Sequence, residues 1–341
     1  MNEIINFGPE VAHLLEKISG ASILCLGDVM LDRYIYGRAE RLSPEAPVPV
    51  IHVSRRVSMP GGMGNVLSNL NALGCRSKAV CVCGDDDRAD EMHRLFCAAG
   101  IAPKFIRDAS RPTVTKTRII AGIQQVVRFD EEDPRPIPSE IADQLLEAVR
   151  ENLPQVGSVA LSDYGKGSLT PEVLAQILDL GNKLGVPVIV DPKGNDYSIY
   201  RNAYLITPNR AELSLAVGKK LETNQDLAWY GRQLMEEHGI HNLLITLSDQ
   251  GMMLLAGPDG PGGQGGHVGQ NSAPLLLPAL AKEVFDVSGA GDTVVAVMAA
   301  ALAVGANLSL GAKLATLAAG VVVGKVGTAV ATPEDIRQAM A

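Results

Sequence analysis

Short apolar runs that end in polar tips constrain this chain more than any single motif. Residues 22–26, 79–83, 159–161, 186–190 and 204–206 are continuous in apolar side chains, and each is too short for a buried helix. A strand covered on both faces reads this way, and such strands belong to parallel sheets. Helical spacing lies between them, at 7–18, 139–152 and 224–238, and Thr170-Pro171 has the cap-then-proline order of another helix start. Alternating strands and helices give an α/β fold with a doubly wound, mostly parallel sheet. The tips are polar: Gly27-Asp28 with Asp32, Ser162-Asp163-Tyr164-Gly165-Lys166-Gly167, Asp191-Pro192-Lys193-Gly194 and Thr207-Pro208-Asn209-Arg210-Ala211-Glu212. Open α/β sheets hold ligands beyond the carboxyl ends of their strands, so one edge of this sheet is expected to be functional. Asp28 and Asp32 read either as ligand-binding carboxylates or as a solvated loop bridged to Arg33.

An anion site is expected at Phe285-Asp286-Val287-Ser288-Gly289-Ala290-Gly291-Asp292-Thr293. A strand-like stretch at 283–287 turns here into an apolar helix at 294–304. Glycines at a helix start let unpaired N–H groups approach a phosphate closely, at the positive end of the helix dipole. Asp292 in that first turn suits a base that takes a proton from a nucleophile attacking the bound phosphate. The plain alternative is a turn with an acidic residue favoured by the dipole.

Other stretches carry paired readings. Pro60-Gly61-Gly62-Met63-Gly64-Asn65 opens a helix to about Leu73; its glycines allow close approach and Asn65 can bond hydroxyls. It does not fit a dinucleotide fingerprint. The acidic triplet at 85–87 reads as a dipole-favoured helix start rather than a metal site. Residues 113–120 and 124–130 alternate like a hairpin, with Lys116 and Arg118 on one face and Arg128 on the partner strand. These cations form either a phosphate patch or ordinary pairs with Asp130 or Glu131. Asn209 with Glu212 is a capping box. Lys193 reads as a phosphate contact or a helix cap. Ser248 and Gly251 sit in a turn between strands at 243–246 and 252–255. Residues 257–274 read as a flexible Gly/Pro-rich insertion. The 320–326 stretch departs from a Walker A loop in its glycine spacing and in having no Ser or Thr after Lys325.

With 46% hydrophobic and 4% aromatic residues, an aliphatic core is expected. A net charge of −8 argues against generic nucleic-acid or anionic-membrane binding. Cys25, Cys75, Cys81, Cys83 and Cys97 read as reduced core residues of a cytoplasmic protein. The start, Met1-Asn2-Glu3-Ile4, lacks a signal-peptide pattern, and the apolar run at 294–306 is too short to span a bilayer.

The Asp292 stretch resembles the C-terminal signature of the PfkB (ribokinase-like) carbohydrate kinases, with Val287, Ser288 and Gly289 at its second to fourth positions. The 60–65 segment resembles the N-terminal signature, with Met63 and Gly64 where alanines are expected. Residues 27–50, including Arg41-Leu42-Ser43-Pro44-Glu45-Ala46-Pro47-Val48-Pro49-Val50, resemble the D-glycero-β-D-manno-heptose 7-phosphate kinases within that family. The resemblance runs from Gly27 to the C-terminus. It implies a single ribokinase-like domain over 1–341 with a small β lid at about 33–58 and 111–131. It leaves no room for an adenylyltransferase domain such as the bifunctional relatives carry. Asp292 is then the catalytic base, and Gly289, Ala290 and Gly291 form the anion hole. Asp28, Asp32, Gly61, Gly62 and Asn65 hold the sugar, with Lys116, Arg118 and Arg128 at its phosphate. Lys193, Asn209, Arg210, Ala211, Glu212, Ser248 and Gly251 lie on the ATP side, with Asn209 and Glu212 organising Mg²⁺ through water. The resemblance allows K⁺ near Asp286 and Ser288, and a homodimer through the lid. The implied reaction is ATP-dependent phosphorylation of the heptose 7-phosphate at its anomeric hydroxyl, for lipopolysaccharide synthesis. Rival readings are another PfkB sugar or nucleoside kinase, and a nonenzymatic sugar or nucleotide sensor on the same fold.

Overall fold

A computed structural model describes residues 8–257, 273–280, 284–325 and 329–340, so most of the 257–274 insertion lies outside the described residues. The strands in chain order are β1 (Ser22–Gly27), β2 (Val29–Leu42), β3 (Pro49–Gly62), β4 (Arg76–Gly84), β5 (Pro103–Asp108), β6 (Thr115–Ala121), β7 (Gln124–Glu131), β8 (Ser158–Ser162), β9 (Val188–Asp191), β10 (Leu205–Ile206), β11 (Asn242–Thr246), β12 (Met252–Ala256) and β13 (Leu275–Leu277). The larger sheet has the order β13-β12-β11-β10-β9-β8-β1-β4-β5. Its strands pair in parallel from β11 to β5, and β12 and β13 are antiparallel. The second sheet has the order β3-β2-β6-β7.

Side chains alternate between two cores, as a period of two requires. Ile23 and Cys25 of β1 join Ala79, Cys81 and Cys83 of β4 on one face. Leu24, Leu26, Val80 and Val82 enter the core on the other. Helices α1 (Pro9–Lys17), α2 (Met63–Ala72) and α3 (Asp87–Ala98) cover the first face. Then α4 (Ser139–Asn152), α5 (Pro171–Leu184), α6 (Arg210–Ala216) and α7 (Asn224–His238) cover the second. The chain returns to the first face with α8 (Ala290–Ala303), α9 (Leu308–Val323) and α10 (Pro333–Met340). Every residue of α8 from Asp292 to Leu302 is buried, which explains a helix apolar all round.

The structure corrects several expectations. Residues 29–42 and 49–62 are full strands, so Asp32 lies on the second sheet rather than in a loop. Arg33 bonds Glu91 of α3 and not Asp28 or Asp32. The pattern was hidden because the base of β2 is buried on both faces while its far end is exposed. β5 was not foreseen; it is an edge strand with few buried side chains. Residues 284–287 are not a strand: Val284, Phe285 and Val287 are exposed, and the Phe285 N–H donates to the Val323 carbonyl at the end of α9 (2.8 Å). Cys97 is exposed on α3 beside His93, while the other four cysteines are buried.

Candidate active site

The carboxyl ends of β1, β8, β9 and β10 bring the polar tips together below the second sheet, and α8 adds Asp292. Gly289 is the N-cap of α8, with a φ of 81° that favours glycine. The Ala290 N–H donates to the Val287 carbonyl (3.3 Å) and the Thr293 N–H to the Gly289 carbonyl (3.0 Å). Between them the N–H groups of Gly291 and Asp292 have no protein acceptor among the described residues, and nothing crowds the Gly291 Cα. Such groups at a helix start can receive an anion.

Asp292 is buried, and donors hold both of its oxygens. The Tyr164 hydroxyl donates to Oδ1 (2.7 Å) and the Asn65 amide to Oδ2 (2.8 Å). Burial lifts its carboxyl to about 6; the two hydrogen bonds oppose that rise, and the negative charge of Asp32 adds to it. Asn65 comes from the first turn of α2, where its backbone carbonyl accepts from Asn69 (2.9 Å). The Thr293 hydroxyl donates to Asn69 (3.0 Å), so a buried polar seam ties α2 to α8.

At the base of the second sheet, Asp32 accepts from Arg118 (2.5 Å) and lies hard against Gly61, where a Cβ would come within 2.0 Å of Asp32 Oδ2. Gly62 caps α2. Asp28 follows β1, and its carboxylate is engaged by protein donors: the Tyr164 and Lys166 N–H groups (2.9 Å each) and the Ser168 hydroxyl. On the second sheet, Arg118 lies opposite Arg128 and Lys116 opposite Asp130, so the three cations share one face. Their partners differ. Arg118 is bound to Asp32 and stacked near the Tyr34 ring, and Arg128 pairs with Asp130 along its own strand (3.0 Å). Lys116 has no ion-pair partner among the described residues, and burial together with the neighbouring Lys166 holds its ammonium below the usual lysine range.

Beyond β9 and β10 the side chains of Lys193 and Asn209 are more exposed. Asn209 caps α6, and Glu212 Oε2 accepts from the Asn209 N–H (2.9 Å), a complete capping box. Glu212 Oε1 remains for other contacts and lies 3.7 Å from Lys193 Nζ. Arg210 donates to the Glu222 carbonyl (2.9 Å) and to Gln250, which ties α6 and Ala211 to the 248–251 turn. Ser248 adopts a φ of 56°, and Gly251 packs against the Leu277 carbonyl. Two residues enter the site that sequence reasoning did not single out, Tyr164 and Asp191. Burial pushes the Asp191 carboxyl well above its ordinary range, and the negative charges of Asp292 and Glu212 push the same way. Both residues lie in the polar tips, which was the available signal.

The pfkB family carbohydrate kinase profile matches residues 21–335. The bifunctional protein HldE of Paramagnetospirillum magneticum is 46% identical over 94% of this chain, and that of Rhodospirillum rubrum is 43% identical over 97%. The chain spans 64% of the length of each relative. Among solved structures, Escherichia coli phosphofructokinase-2 with substrates and products superposes with a TM-score of 0.73 at 19% identity, covering 94% of this chain and 98% of that one. Arabidopsis thaliana ribokinase with ribose and ATP gives 0.71 at 20%, covering 94% and 99%. These two likenesses bear on the fold, which is ribokinase-like. With its profile matched over most of the sequence, the chain belongs to the pfkB family of carbohydrate kinases.

Proposed function

We propose that this chain transfers the γ-phosphoryl group of ATP to the anomeric hydroxyl of D-glycero-β-D-manno-heptose 7-phosphate, in the cytoplasm and for lipopolysaccharide synthesis. The observation that carries a kinase reading is Asp292, a buried carboxylate held by two donors beside the unpaired N–H groups of Gly291 and Asp292. Asp292 takes the hydroxyl proton as the sugar oxygen bonds to phosphorus and the bond to the departing ADP breaks. The helix-start amides stabilise the charge on the transferring group. The heptose itself rests on the resemblance of residues 27–50 and on the likeness to the HldE proteins.

The sugar phosphate lies under the lid in this reading. Arg118 and Arg128 already hold carboxylates, so Lys116 supplies the main unneutralised charge. ATP lies toward Lys193, Arg210, Ser248 and Gly251. Mg²⁺ fits Glu212 through water, because one carboxylate oxygen is left over by the capping box. When bound, the ion would neutralise phosphate charge. Asp286 and Ser288 are the residues proposed for K⁺. Val127 and Phe129, opposite Ile119 and Thr117 in register, expose an apolar strip on the other lid face, where a second copy would pack. Among the described residues no helix is long and apolar enough to cross a membrane.

The test is ADP release with ribose, fructose, a nucleoside, and the heptose with and without its 7-phosphate. Fast turnover with the phosphorylated heptose alone is expected. Comparable rates with ribose or fructose would overturn the substrate, and absence of any sugar-stimulated ATP turnover would favour the sensor reading.

A further inference from the structure

We propose that Tyr164 is the positioning residue for the base at Asp292, and that Asp28 acts by locking Tyr164 in place. The inference rests on Asp292 being the base. The Tyr164 hydroxyl reaches Asp292 Oδ1 from the loop after β8, while Asn65 holds Oδ2 from α2. The carboxylate is thus fixed from two separate elements. Each carboxylate oxygen accepts more than one hydrogen bond, so an incoming hydroxyl still finds a lone pair.

The loop that carries Tyr164 is held by carboxylates beneath it. Asp28 takes the N–H groups of Tyr164 and Lys166 and the Ser168 hydroxyl. Asp163 takes the Gly165 N–H (2.8 Å) and the Tyr200 hydroxyl (2.6 Å). The Tyr164 ring lies beside Gly62, where a Cβ would be 3.5 Å from its Cδ2. A side chain so confined loses little further freedom when it holds the base. Its own ionisation is pushed well above the usual tyrosine range by burial and by the Asp292 charge, so it stays a donor.

The charge that faces Asp292 is that of Asp32 from β2; Asp191 from β9 lies near it, and burial keeps its proton on. Tyr164 and Asn65 are therefore what favours the ionised form in a buried, negatively charged setting. A base that must be ionised to work then depends on the phenol for its working pH range.

Tyr164→Phe keeps the ring and removes only the donor. A ¹³C-carboxyl titration of the free protein reads Asp292 directly, with its resonance assigned by its loss in Asp292→Asn. Losing a charge-assisted hydrogen bond should raise its pKa by about one to two pH units. The acid limb of kcat/KM should move up equally, with the rates of parent and variant converging at high pH. An unchanged titration, or a rate lowered equally at every pH, overturns the proposal. Asp28→Asn should slow the parent and add little to Tyr164→Phe, because both act through one contact; additive losses overturn the role of Asp28. Failure of the underlying reading shows separately, as normal turnover in Asp292→Asn.

Discussion

Asp292 and Glu212 occupy the same place in two helices and find different partners. Each is the third residue after an N-cap, at the same edge of one sheet. The cap of α6 is Asn209, whose side chain and N–H close a reciprocal pair with Glu212. The cap of α8 is Gly289, which has no side chain to offer, and the Asp292 carboxylate turns instead to Tyr164 and Asn65. Glu212 is partly solvated, whereas Asp292 is buried and its carboxyl is lifted to about 6. An acidic residue in a first turn thus closes its own cap or turns to distant donors according to its cap and to what the tertiary fold packs over it.

The largest effect should come from breaking the chemical member of this pair. Asp292→Asn should lower kcat by roughly 10²–10⁴-fold with sugar and ATP binding retained, the usual scale for a general base. Steady-state kinetics on the folded variant check this, and near-normal kcat would remove the distinction from Glu212.

Stability against pH tests the same residue without a substrate. Burial raises the folded-state pKa of Asp292 above its unfolded value. The folded protein keeps the proton where the unfolded chain has released it, so this group weakens the fold as pH rises from about 4 to about 6. Asp292→Asn removes that loss and should gain, relative to the parent, on the order of 2–3 kcal/mol across the window and level off above it. Urea unfolding at several pH values reads the difference; a flat difference would mean that the carboxyl is not shifted.

Lys116→Ala should raise KM for the phosphorylated sugar by roughly 10- to 150-fold, the loss of one charge-assisted contact, with the KM for ATP unchanged. Equal losses for both substrates would point to damage to the lid. The smallest effect belongs to the structural member. Glu212→Ala should cost about 1 kcal/mol of stability by opening the capping box, while Glu212→Gln keeps the cap and melts like the parent. If Glu212 also organises Mg²⁺, Glu212→Gln should still need more Mg²⁺ for half-maximal turnover; an unchanged Mg²⁺ curve would leave it a cap alone.

Most of the larger sheet, the helices at Ser139–Asn152 and Asn224–His238, and the capping box were legible because the signals are local. Periodicity, a cap and its third residue act over one turn. The candidate site was legible in outline, since Asp292, Asn65 and the glycines are carried by motifs. The partners were not. Asn65 meets Asp292 across 227 positions of sequence, and Tyr164 meets it across 128. Nor could spacing distinguish Arg118, neutralised by Asp32, from Lys116, which has no such partner among the described residues.

By itself the sequence determined where most strands of the larger sheet and their flanking helices form, which edge of that sheet is polar, and where a helix start is stripped of side chains. Those outcomes depend on burial pattern and backbone freedom, which each segment carries within itself. Only the tertiary structure decided that Asp28 anchors a loop, that Tyr164 reaches Asp292, and that Asp292 is buried enough for its carboxyl to be lifted to about 6. Hydrogen-bond partners and desolvation belong to the space between segments, and nothing local to either segment encodes them.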